Sequence, residues 1–141
     1  MSGYGSAFTP KLVSKAYAAM SGYDTAAAFT VTGDVRVKVF GVVGATGITS
    51  TSGTTTLSVG TTEAAASIIG ATTIDNAQFA ATDVWVDTSP ANDCEGEPGW
   101  FIVGGGADII LTRNVDDLTA GTLTLYCYWE PLSSTGAVVA A

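Results

Sequence analysis

The stretch Thr122–Leu132, TLTLYCYWEPL, divides its side chains into two sets with a period of two. Leu123, Leu125, Cys127 and Trp129 form one set; Thr124, Tyr126, Tyr128 and Glu130 form the other. Successive side chains of a strand point to opposite faces, so the first set makes a core face. A strand whose other face meets water carries mostly charges there. This one carries two tyrosines instead, which raises the question of what covers them.

The same short β patterns recur upstream. In TVTGDVRVKVFGVVG, Val35, Val37 and Val39 alternate with Arg36, Lys38 and Phe40, the signature of a half-buried strand. TTTLSVGTT places Leu57 and Val59 on one face, and ASIIGATTI carries Gly70 at a bend or bulge. DVWVDT offers Val84 and Val86 to one side and Trp85 to the other. GWFIV and ADIILTR are apolar runs of the length of buried strands, and NVDDLTAG is a turn before the last strand.

Seven or more short strands between turn signals predict an all-β, single-domain antiparallel β-sandwich over residues 27–141, with a jelly roll as one form of it. Residues 1–26 read as an N-terminal arm. Gly3, Gly5 and Pro10 interrupt it, and KLVSKAYAAM is fit for a short helix or an extended segment. The small, uncharged tail SSTGAVVAA reads as flexible or as lying on a neighbouring subunit.

With 141 residues the chain suits one domain that needs no metal or disulfide staple. Charged residues are only 13%, about half the usual ~25%, which suits surfaces packed against other protein. Residues 1–40 hold Lys11, Lys15, Arg36 and Lys38 against two carboxylates; the remainder holds Arg113 against eleven. An acidic body repels phosphate, so nucleic acid is not the expected partner. No stretch approaches the ~20 apolar residues of a membrane span, and the start lacks a signal-peptide pattern. Synthesis in a cytoplasm is expected, and with it free thiols at Cys94 and Cys127, although a single bridge between them is the alternative.

Histidine is absent, which removes the usual general base and the commonest metal ligand. Ser–His and Cys–His nucleophile systems are thereby excluded within the chain. The run GGGAD lacks the Lys–Ser/Thr ending of a phosphate-binding loop and reads as a tight turn. In DTSPANDCEGEPGW, Asp87, Asp93, Glu95 and Glu97 offer oxygens that suit calcium, against the plainer reading of a solvated acidic loop. Asp116 and Asp117 are adjacent in a turn and point apart, which argues against a paired-carboxylate glycosidase. Neither catalysis nor a bound cofactor or metal is expected.

The aromatics carry more information. Trp85, Trp100, Phe101, Tyr126, Tyr128 and Trp129 all follow residue 80. They fit a second core layer or a subunit interface, where Tyr and Trp bury much area at little entropic cost. With so few charges, the interface is favoured, with Trp85, Tyr126 and Tyr128 as its contacts.

Four segments carry a family resemblance: TGDVRVKVFGVVGA (32–45), TTLSVGTT (55–62), ATDVWVDTSP (81–90) and the block from Gly106 to Ala141. Their order resembles that of small head-associated, decoration-type virion proteins of tailed bacteriophages. The resemblance implies a non-enzymatic component of the virion head, made in the host cytoplasm, that binds the major capsid protein in the assembled shell. It also implies a homo-oligomer, commonly a trimer. On that reading the mildly basic beginning, with Lys11, Lys15, Arg36 and Lys38, is the capsid-docking part. A tail or baseplate adhesin is the alternative, holding a host-surface glycan between Trp85 and Trp100 beside the acids at 93, 95 and 97.

Overall fold

A computed structural model describes residues 10–75, 78–92 and 94–141. Asp93 and the arm residues 1–9 lie outside that set. Thirteen strands and no helix are found among the described residues. They are β1 (Lys11–Tyr17), β2 (Ala26–Thr32), β3 (Val35–Val43), β4 (Thr49–Ser50), β5 (Thr56–Gly60), β6 (Ile69–Thr73) and β7 (Asp83–Trp85). The rest are β8 (Ala91–Asn92), β9 (Phe101–Val103), β10 (Ile109–Asn114), β11 (Leu118–Ala120), β12 (Leu123–Pro131) and β13 (Ala137–Ala140).

All pairings are antiparallel, and two sheets enclose one core, as expected of a β-sandwich. The first sheet runs β1-β12-β3-β7-β8, with β9 also on β3; the second runs β13-β2-β10-β5-β6. β4 and β11 make a small third sheet.

The spine of the first sheet is the pairing of β12 with β3, unbroken from Leu123↔Val43 to Pro131↔Val35. Both strands alternate strictly in sequence, so their inner rows fall together: Leu125 beside Gly41, Cys127 beside Val39, Trp129 beside Val37. Directly opposite residues share a face, and this row is buried. Facing it, the second sheet supplies Phe29, Val31, Leu57, Val59, Ile109 and Leu111.

Trp85 belongs to this core. It lies across from Gly41, is fully buried and packs edge-on against Phe79 with ring centroids 5.0 Å apart. Its indole Nε1 donates to Thr72 Oγ1 at 2.9 Å, which satisfies the donor. A Cβ on Gly41 would come within 3.1–3.2 Å of Leu125, Leu123 and Trp85, so the glycine makes room for the indole. The expected role of Trp85 as a subunit contact is therefore corrected: the ring fills the sandwich and Val84 points outward.

The boundary of the arm also moves. Lys11–Tyr17 pair with β12 over their whole length, from Lys11↔Trp129 to Tyr17↔Leu123. Met20 is fully buried, and its N–H donates to the Gly121 carbonyl at 2.8 Å. The segment expected as an arm is thus, from Lys11 onward, part of the sandwich. The tail is placed likewise: β13 pairs with β2 from Ala137↔Thr32 to Ala140↔Phe29.

β1 is an edge strand, and the alternation explains its lysines. Lys11 and Lys15 oppose Trp129 and Leu125, so they lie on the inner side. Lys11 Nζ sits 4.8 Å from the Trp129 ring centre, and Lys15 Nζ donates to Ala141 O. Charges on the inner side of an edge strand make the pairing of a further strand there costly.

A chain that begins at Pro10 keeps every contact described here, whereas one that begins at Ala27 loses β1 and Met20. Burial of Met20 alone is worth about 1.5–3 kcal/mol out of the ~5–15 kcal/mol of a domain. Urea unfolding followed by circular dichroism is expected to show a cooperative transition for the first chain, and a large loss of midpoint or no transition for the second.

Candidate functional site

The register of β1, β12 and β3 places the other alternating set on the outer face of the first sheet. Across it run Leu12, Tyr128 and Lys38 in one row, and Ser14, Tyr126 and Phe40 in the next. Beyond these lie Glu130, Arg36 and Ile102 at one end, and Ala16, Thr124, Val42 and Val84 at the other.

Part of the question raised by the tyrosines is answered here. Phe40 stacks on Tyr126 with centroids 5.0 Å apart and rings 16° from parallel, and on Tyr128 at 6.4 Å and 23°. The three rings form a ladder along the sheet, which stabilises cross-strand pairing. They do not hide the face: Ile102 is 77% exposed, Leu12 54% and Tyr128 39%.

Charge on this face is balanced. Arg36 Nε bonds Glu130 Oε2 at 2.8 Å, and Glu130 is 4% exposed. Lys38 Nζ pairs with Glu97. Both cations also lie over the Trp100 ring, the Arg36 guanidinium carbon at 4.3 Å and Lys38 Nζ at 5.0 Å from its centre. These contacts latch the loop before β9 onto the sheet and sharpen a shallow depression of about 370 Å³ lined by Pro10, Lys38, Glu97, Trp100 and Tyr128.

The four expected docking cations therefore do not converge. Arg36 and Lys38 share the outer face, while Lys11 and Lys15 lie on the opposite side of β1. Tyr126 and Tyr128 are where the alternation put them. Trp100 is on the outer face and Trp85 is in the core, so the two indoles do not form one glycan pocket. Leu12, Phe40 and Ile102 belong to the face as well, and the aromatic at 40 between Lys38 and Val42 is the one sequence signal for them.

The other candidates resolve into structure. Asp87 Oδ1 accepts the Ser89 N–H at 2.7 Å, and Glu97 is held by Lys38. Among the described residues no three acidic or thiol side chains gather as a metal site would require. In the glycine run, Gly105 and Gly106 adopt positive φ, and Gly105 N–H donates to Asp34 Oδ1 at 2.9 Å, so a carboxylate of the chain occupies that donor. Asp117 pairs with Arg113 at 3.6 Å.

No protein-family model, curated protein sequence or solved structure matches this chain.

Burial shifts three interior groups. It pushes the Cys127 thiol up to about 12 from an ordinary 9.0. It also raises Tyr17, helped by the neighbouring Tyr23, and raises Tyr23. Cys94 is exposed, and both cysteines are free.

Two measurements follow from this geometry. The folded state holds the Cys127 proton more tightly than the unfolded chain, so this contribution to stability is whole below about pH 9 and declines from there toward pH 12. Urea midpoints are expected to fall above pH 9 and to fall less in Cys127→Ala, while native alkylation labels Cys94 alone. Acrylamide is expected to quench Trp100 and to spare Trp85; a Trp100→Phe chain that quenches as strongly as the parent would contradict the placement of these rings.

Proposed function

We propose that this chain is a non-enzymatic structural component of a tailed-phage virion that binds the assembled capsid in many copies and cements or ornaments it. The observation that carries the reading is the outer face of the first sheet. A regular strand surface there presents Leu12, Tyr128 and Ile102 to the outside, around a stacked aromatic ladder and two closed ion pairs. Exposed apolar surface of this kind marks contact with other protein.

The resemblance of the four segments to decoration-type head proteins gives that contact its setting, with the major capsid protein and sibling copies as partners. Repeated weak contacts on a symmetric lattice add up through multivalency, so each can be modest. Each of the five cations is engaged within the chain, which fits an assembly part better than a nucleic-acid binder. The outer face serves contact between siblings, and the β1 edge with Lys11 is the shell-facing side. The adhesin reading is the weaker one, because Trp85 is buried away from Trp100.

The test is co-sedimentation of the purified protein with capsids assembled without it, followed by electron microscopy. Saturable binding of many copies over the head is expected, and Lys11→Glu is expected to weaken it at least several-fold. Absence of head binding, or a few copies confined to the tail tip, would overturn the proposal.

A further inference from the structure

We infer that the outer face of the first sheet is a self-association surface, on which a second copy packs the same face about a two-fold axis lying along the strands between β12 and β3. This deepens the reading of the chain as an assembly part and rests on it, although its test needs no capsid.

Electrostatics permits a second copy here, and exposed apolar side chains favour one. The chain carries a net charge of −8, so two copies repel each other over most approaches. On this face, Arg36 and Lys38 are balanced by Glu130 and Glu97. The outer face of the second sheet, with Thr30, Thr56, Thr112 and Val139, is uncharged as well, so what sets the first sheet apart is its exposed Leu12, Tyr128 and Ile102.

The rows are also self-complementary. A two-fold axis between β12 and β3 exchanges these two strands, so each residue of β12 meets the second copy's residue from the same row of β3. Tyr126 then meets the second copy's Phe40, extending the stacked ladder into a four-ring cluster. Tyr128 meets the second copy's Lys38, a ring under a cation. Glu130 meets the second copy's Arg36, so each guanidinium has a carboxylate on either side. On the flanks, Leu12 comes over the second copy's Trp100. Other orientations of the axis set Arg36 and Glu130 against Val42 and Thr124, which leaves charge against apolar surface.

Area sets the strength. Four strands at ~4.8 Å spacing and nine residues at ~3.3 Å give a face of roughly 19 by 30 Å, or on the order of 1,100 Å² over both copies. Stable interfaces bury about 1,200–2,000 Å². Pairing through this face alone is therefore weak and concentration-dependent in solution. A closed trimer would need two different patches, whereas this face is a single patch.

Sedimentation velocity over a concentration series from about 5 to 500 μM tests the inference. The parent chain is expected to pass from the 14.2 kDa monomer toward twice that mass. Tyr128→Glu is expected to lower the association constant at least tenfold at an unchanged urea midpoint, while Val139→Glu, exposed at the edge of the other sheet, leaves it unchanged. A monomer at every concentration, a trimer as the associated species, or a dimer indifferent to Tyr128→Glu each overturns the pairing. So does a monomeric parent whose capsid binding is lost in Tyr128→Glu, because the face would then meet the shell. Self-association without capsid binding would leave the pairing standing and remove the virion role.

Discussion

The continuous ladder between β12 and β3 is the constraint on which the rest of the structure depends. Nine pairs without a bulge fix which side chains of both strands share a face, because a shift by a single residue would turn every one of them over. One consequence is inward: Gly41 falls beside Leu125 on the core face, where the Trp85 indole from β7 occupies the space that a side chain at 41 would fill. The other is outward: Phe40 falls beside Tyr126 and Arg36 beside Glu130. Core and surface chemistry are set by the same pairing.

Low charge content acquires a physical meaning from the same geometry. The chain has five cations, and each has a partner within the fold: Lys11 a ring, Lys15 a backbone oxygen, Arg36, Lys38 and Arg113 carboxylates. The pairs of Lys38 and Arg113 with exposed carboxylates add little stability each, about 0–1 kcal/mol. Their effect is on what the surface presents, since the positive charge is spent locally and the excess acid dominates elsewhere. The outer face of the first sheet is set apart by its rings and exposed aliphatic side chains, with its own charges closed in pairs.

Legibility in the sequence followed the strength of alternation. β3 and β12 are long, apolar at every second position and readable as strands, and the tyrosine side of β12 is evident from the sequence itself. β1 was hidden because its inward positions include Lys11 and Lys15, which erase the apolar period, and because Gly3, Gly5 and Pro10 precede it. The side taken by Trp85 is not legible because β7 is three residues long and the indole lies between Val84 and Val86, so period alone cannot orient it. β13 carries only small residues, a composition that suits a strand and a loose tail equally. Leu12, Phe40 and Ile102 meet on one face only through pairing of distant segments, which no local window contains.

The lysines of β1 bear on how an open strand edge behaves at high protein concentration. Under such conditions open strands tend to recruit one another into cross-β fibrils. Here the outermost strand of the first sheet turns two ammonium groups toward the interior, and one of them is clasped to the chain's last residue. An intruding backbone would have to strip water from those charges, so growth along the hydrogen-bonding direction is disfavoured at that edge.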